Sequence, residues 1–219
     1  MCGKFTINVG SMFSGKTTEL LRQGKRHLLA KDNVLYIKPD IDTRYSDTNV
    51  VSHTGDYTEA IVLPVNVLLF DIPEVQDADV ILVDELQFFT ENVVEQLNTL
   101  ATEGKIIYAS GLDMTFQREP FNTTMLAMAY ADIVNKFKAV CSSCGEDAYI
   151  SAFKETFNGS VIELGADDKY TPLCRDCYQE HLDEQFWEEY DSDTLECGCC
   201  SCCGCTCDGQ WNEEELDYE

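Results

Sequence analysis

Eight residues near the start of the chain, Gly10-Ser11-Met12-Phe13-Ser14-Gly15-Lys16-Thr17, constrain the fold more than any other segment. They follow Phe5–Val9, where β-branched and polar residues alternate, and precede an apolar rhythm at Leu20, Leu21, Leu28 and Leu29. That succession reads as strand, glycine-rich turn and helix. The turn fits GxxxxGK[ST], in which consecutive backbone amides wrap a β-phosphate and the helix N-terminus adds positive potential. Lys16 is then expected to reach the β- and γ-oxygens of ATP, and the Thr17 hydroxyl to ligate Mg²⁺. A chance glycine turn is the bland alternative, and the strand-to-helix setting argues against it.

Further apolar runs, Val34–Ile37, Val80–Val83 and Ile106–Ala109, are short enough to be buried strands. Between the last two, Val93, Val94, Leu97 and Leu100 recur at helical spacing and Gly104 closes the segment. Strands separated by helices imply a parallel sheet covered on both faces, in the manner of a RecA-like α/β phosphate-loop domain. Asp84 and Glu85 directly follow Val80–Val83, so they stand at the carboxyl end of a strand, where open α/β sheets place their ligands. Asp84 takes the position expected to hold Mg²⁺. Glu85 is suited to orient an attacking hydroxyl and accept its proton, or equally to activate water. On these motifs alone, a kinase and an ATPase both remain open.

Charge narrows the partners. The 219 residues carry 40 acids against 15 bases, a formal net charge of -25. Residues 183–219 hold 13 of those acids and no Lys or Arg, leaving 27 acids against 15 bases in residues 1–182. Even that remainder repels a phosphate backbone, so nucleic acid is not an expected partner. No run of about 18 apolar residues suggests a membrane span, and no signal-peptide pattern is evident, so a cytoplasmic protein is expected. Composition changes near Cys141 and again near Asp183. The expected organisation is a phosphate-loop domain over 1–140, a small module over 141–182 and an acidic cysteine-rich tail over 183–219.

Cysteine spacing assigns the module its chemistry. Cys141-Ser-Ser-Cys144 and Cys174-Arg-Asp-Cys177 are two CxxC knuckles about thirty residues apart. Four thiolates closing one tetrahedral site make a structural zinc, since no open position remains for catalysis. The alternatives are redox CxxC pairs or free thiols, with His181 as a rival fourth ligand. Seven more cysteines fall between Cys197 and Cys207. They read either as a soft-metal cluster or as an acidic, oxidation-prone tail.

MFSGKTTELLR, DTRYS, DELQFF, GLDMTFQREPF and the paired CxxC segments, in this order, resemble the cellular-type, zinc-containing thymidine kinases over about residues 3–178. The resemblance implies transfer of the γ-phosphate of ATP to thymidine, with deoxyuridine possible as acceptor, and makes Glu85 the proton acceptor for the 5′-hydroxyl. It places Asp84, Glu85, Leu86 and Gln87 on the ATP side, with Arg44 and the nearby Asp42 in a loop by the phosphates. Met12, Phe88, Leu112 and Phe116 would line the nucleoside pocket. The loop between the knuckles, Tyr149 to Tyr170, would close over thymidine as a lasso. There Val161, Ile162, Glu163, Leu164 and Gly165 read the base through their main chain, Ser151 lies near the base and Tyr170 closes the site. A homotetramer and feedback inhibition by thymidine triphosphate are further implications. Leu86 stands where members commonly have a small residue, and Ser151 where threonine is common. Two rivals are a phosphate-loop ATPase with a zinc ribbon, which leaves the lasso unexplained, and a nucleotide-binding regulator without turnover, which would not need both Lys16 and Glu85.

Overall fold

A computed structural model describes residues 3–42, 48–51, 55–154 and 169–183. The chain divides into a unit over Met1–Glu180 and another over His181–Glu219, and the sheet, the cleft and the cysteine cluster all belong to the first. Its elements in order are β1 (Lys4–Val9), α1 (Lys16–Ala30), β2 (Val34–Pro39), β3 (Asn49–Val51), β4 (Tyr57–Glu59), β5 (Ile61–Leu63), α2 (Pro73–Asp77) and β6 (Val80–Val83). They continue with α3 (Glu91–Thr102), β7 (Ile106–Gly111), α4 (Asn122–Tyr130), β8 (Ile133–Lys136), β9 (Ala139–Val140), β10 (Asp147–Ala148), β11 (Ile150–Phe153) and β12 (Tyr170–Leu173). Single 3₁₀ turns span Leu69–Asp71 and Leu86–Phe88.

Six strands form one sheet in the order β5-β2-β6-β7-β1-β8, every neighbouring pair parallel. The apolar runs explain why the centre is covered on both sides. Phe5, Ile7 and Val9 on β1 and Val80–Val83 on β6 are all within 1% of complete burial, as parallel strands between helical layers require. On α3, the periodic residues Val93, Val94, Leu97 and Leu100 are equally buried, and each contributes about 1.5–3 kcal/mol by leaving water. The helix expected between the third and fourth apolar runs is therefore present, and Gly104 follows its end with φ 107°.

The apolar rhythm of α1 is only half used. Leu20 and Leu21 are buried, whereas Leu28 and Leu29 are 53% and 85% exposed. The buried stripe ends at Gly24, and in the last turn His27 rather than a leucine meets the sheet, 3.3 Å from the Tyr108 hydroxyl. The edge strand β8 was not anticipated, because all four of its residues are exposed and carry no burial pattern. Among the described residues, no helix is long and apolar enough to cross a membrane.

Parallel strands align their carboxyl ends. β1 runs into the phosphate loop, β6 into Asp84 and Glu85, and β7 into Leu112. The register pairs Val83 with both Ile37 and Ala109, so Lys38, Asp84 and Ser110 share one level of the sheet. The short antiparallel pairs β9–β10 and β11–β12 carry the cysteine knuckles beside that edge.

Candidate active site

The phosphate loop is shaped by its backbone. Gly10 has φ 144°, Phe13 63° and Gly15 84°, and Gly15 caps α1. Alternation of left- and right-handed residues turns successive amides inward, the arrangement that receives an anion. A side chain at Gly10 is excluded outright, since a Cβ there would lie 2.4 Å from the Phe137 carbonyl oxygen. Lys16 Nζ is folded over the loop, donating to the Ser11 carbonyl at 2.6 Å and to Ser14 Oγ at 3.3 Å, and Ser14 Oγ itself donates to the Ser11 carbonyl at 2.8 Å.

Asp84 faces the loop from β6. Thr17 Oγ1 donates to Asp84 Oδ1 at 3.3 Å, and Ser110 Oγ from β7 donates to the same oxygen at 2.5 Å. Burial and then the charge of Glu85 push the Asp84 carboxyl up to about 7, against the pull of Ser110 and with a further push from Asp42. A hydroxyl and a carboxylate within hydrogen-bond reach of each other are hard oxygen donors of the kind Mg²⁺ takes, so Thr17 and Asp84 fit that ion. Glu85 has φ 51° and ψ 44°, a left-handed conformation, and its Oε2 accepts from Gln87 Nε2 at 2.5 Å. A cleft of about 170 Å³ joins these groups, lined among others by Lys16, Thr17, Asp84, Glu85, Lys38 and Asp42.

Lys38 was not singled out in the sequence. It is 2% exposed, 3.4 Å from Asp42 Oδ2, and donates to the Asn49 carbonyl at 3.5 Å. A lysine ending an otherwise apolar strand beside a carboxylate-tipped one was the available signal. Phe153 was also missed. Its ring lies 5.5 Å from those of Phe116 and Tyr170, and the three rings gather Met12, Leu112 and Phe13 into one apolar cluster. The structure thus brings together Met12, Leu112, Phe116 and Tyr170, four of the residues expected around the nucleoside. An aromatic edge or face exposed on such a cluster can pack against a planar base.

Three further expected residues have these settings. Ser151 Oγ accepts a hydrogen bond from the Met12 backbone N–H at 2.9 Å, tying β11 to the phosphate loop. The Leu86 side chain is wholly buried in the main core. Phe88 is half-buried in the 3₁₀ turn after Glu85. Arg44 and Val161, Ile162, Glu163, Leu164 and Gly165 lie outside the described residues, as do the seven tail cysteines.

The sulfurs of Cys141, Cys144, Cys174 and Cys177 lie within 4.8 Å of one another, and those of Cys144 and Cys174 are 3.7 Å apart. Four sulfurs held tetrahedrally by zinc at about 2.3 Å stand about 3.8 Å from each other, so the set fits that metal. Gly145, with φ 82°, turns the first knuckle so that its N–H donates to the Cys141 carbonyl. The cluster does not stand apart from the loop. Ser11 Oγ donates to the Ala148 carbonyl at 3.4 Å, and Phe13 packs on the small core around Cys141, Ile150 and Leu173.

A family model described as "Thymidine kinase" matches residues 3–178, from the strand before the phosphate loop through the second knuckle. The chain belongs to the thymidine kinase family. It is 39% identical over 180 residues to a thymidine kinase of Pseudothermotoga lettingae, across 82% of this chain and 97% of that protein. A thymidine kinase of Bacteroides fragilis is 40% identical over 184 residues, across 83% of this chain and 90% of its own length. Domain III of the replication initiation protein DnaA of Thermotoga maritima superposes with TM-score 0.38 at 17% identity, over 62% of this chain and 55% of that one, too slight a likeness to carry an argument. As a thymidine kinase family member the chain is an enzyme that phosphorylates thymidine with ATP as donor. The choice between kinase and ATPase, open on the bare motifs, falls to the kinase.

Proposed function

We propose that the γ-phosphate of ATP passes to the 5′-hydroxyl of thymidine in the cleft between the phosphate loop and Glu85. The observation that carries this reading is the placement of Glu85 beside the Thr17–Asp84 pair, in the cleft that Met12 and Leu112 share with the aromatic cluster. One substrate would meet the loop amides and Lys16, and the other would be held flat by Phe116, Phe153 and Tyr170. Glu85 would then stand where the acceptor hydroxyl approaches the γ-phosphorus.

The division of labour follows from what each residue can hold. Phosphate binding falls to the amides of Gly10, Ser11, Met12, Phe13, Ser14 and Gly15 together with Lys16, which exchanges its contacts to Ser11 and Ser14 for phosphate oxygens. Thr17 and Asp84 would hold Mg²⁺, whose charge would help neutralise the transferring phosphate. Glu85 accepts the 5′-hydroxyl proton late, as suits a loose transition state, and mainly orients the nucleophile. Arg44 would add a cation at the transferring group. Zinc on the four cysteines would be structural, steadying the strands that carry Ser151 and Tyr170 while the main chain of 161–165 reads the base.

The functional division into 1–140, 141–182 and 183–219 belongs to the same proposal. Cytosolic placement belongs to it too, as do assembly as a homotetramer and inhibition by thymidine triphosphate, which the resemblance suggests. Purified protein given ATP, Mg²⁺ and a panel of nucleosides is expected to accumulate thymidine monophosphate, with deoxyuridine as a weaker acceptor. Monophosphate formation on purine nucleosides at the rate seen with thymidine would overturn the reading of the aromatic cluster as a thymine site.

A further inference from the structure

Glu85 holds a backbone conformation that costs a residue with a side chain about 1–2 kcal/mol. Such a conformation persists only where the surroundings enforce it. Gln87 stands beside Glu85, 6% exposed and using both ends of its amide inside the protein. Its Nε2 donates to Glu85 Oε2 at 2.5 Å, and its Oε1 accepts from the Leu112 backbone N–H at 3.0 Å. These two bonds fix the amide's orientation. The Leu112 N–H can only donate, so the carbonyl oxygen must face it and the NH₂ group must face the carboxylate.

The neighbouring residue fits the same purpose. Leu112 directly follows β7, and Gly111 ends that strand. A Cβ at Gly111 would lie 2.9 Å from Gln87 Oε1, 3.3 Å from Thr124 Oγ1 and 3.4 Å from the Gln87 nitrogen. The space a side chain would take is filled by the Gln87 amide. Glu85 on one strand end is thereby tied, through a single buried amide, to the adjacent strand end that leads into Leu112 and Phe116.

We propose that Gln87 is a positioning residue for the phosphoryl transfer, rather than a contact to the nucleotide. It holds the Glu85 carboxylate, the group that takes the proton from the 5′-hydroxyl, in one orientation. In that step the 5′-oxygen bonds to the γ-phosphorus, the bond from that phosphorus to the β,γ-bridging oxygen breaks, the proton passes to Glu85 and ADP departs. The inference rests on the reading of Glu85 as the group that meets the hydroxyl. A free glutamate side chain samples several rotamers, and misplacement by about 1 Å costs on the order of 100-fold in rate.

The test is a cycle of Gln87→Met and Glu85→Ala, singly and together, with kcat for thymidine and the Kd for ATP read for each. Gln87→Met keeps the chain length and removes both hydrogen bonds. It is expected to lower kcat by roughly 10- to 100-fold and leave the ATP Kd within about twofold. In the Glu85→Ala background the same substitution should lower kcat by less than about twofold, since its partner is already gone. Two results overturn the proposal: ATP binding that weakens as much as kcat falls, or a loss that persists in full without Glu85. Should Gln87→Met fold poorly, Gly111→Ala crowds the amide while keeping it, and the same non-additivity with Glu85→Ala is expected. A Glu85→Ala enzyme as fast as the parent would overturn the proton-acceptor reading. A crippled Glu85→Ala beside an unimpaired Gln87→Met would overturn the Gln87 inference alone.

Discussion

Replacing Ser151 by alanine asks whether the zinc-bearing strands hold the phosphate loop in shape. Ser151 Oγ is the acceptor for the Met12 N–H at 2.9 Å, with the serine 6% and the methionine 7% exposed. Alanine leaves that amide buried without this partner, a loss of about 1–3 kcal/mol. For a chain of this size a kilocalorie moves the thermal midpoint by about 2–4 °C, so the midpoint should fall by roughly 2–12 °C. Met12 is also the third residue of the loop, so part of the lost energy must be regained when ATP orders it. Each 1.4 kcal/mol so regained raises the ATP Kd about tenfold. Ser151→Thr keeps the oxygen and adds one methyl group at a buried site, an overpacking of about 1–3 kcal/mol that should lower the midpoint while leaving the ATP Kd near the parent's. Calorimetric melting and equilibrium dialysis with ATP read both effects. An alanine variant with the parent's midpoint and the parent's ATP affinity would refute the claim that this bond supports the loop.

Asp84 makes a signed pH prediction for the metal-free protein. Its folded carboxyl is raised, chiefly by burial and then by Glu85, from 3.8 to about 7, so its stabilising contribution is complete below about 4 and is lost as pH rises through 7. The stability advantage of Asp84→Asn over the parent should accordingly grow between those limits and level off above them, and a pH-independent difference in denaturant midpoints would contradict the assignment. The cysteine cluster predicts its own metal content. A form ending at residue 182 should retain one zinc, and Cys174→Ser should lose it and melt well below the parent, whereas equal zinc in both by elemental analysis would refute the four-cysteine site.

Much of this architecture was legible because burial writes itself into the sequence. β1, β6 and α3 were readable from their apolar spacing, and the phosphate loop from glycines that a strand-to-helix turn demands. β8 was not, since an exposed edge strand has no alternation to betray it, and the leucine rhythm of α1 marked the helix without telling which of its leucines are buried. The site was legible wherever chemistry forces a residue type, as at Lys16, Asp84 and the four cysteines. It was opaque where side chains meet through space. Ser110 reaches Asp84 across a strand pair, Lys38 meets Asp42 around the end of β2, and Phe153 completes the cluster with Phe116. Ser151 belongs with these, because its hydroxyl meets the Met12 amide from a strand far along the chain.

The central claim is that this cleft moves a phosphoryl group to a hydroxyl and not to water. Purified protein incubated with Mg²⁺, thymidine and ATP labelled in its γ-phosphate tests it directly. The expected result is label on the 5′-oxygen of thymidine monophosphate, with one ADP formed for each labelled nucleotide. Label appearing as inorganic phosphate, with ADP released and thymidine unchanged, would contradict it.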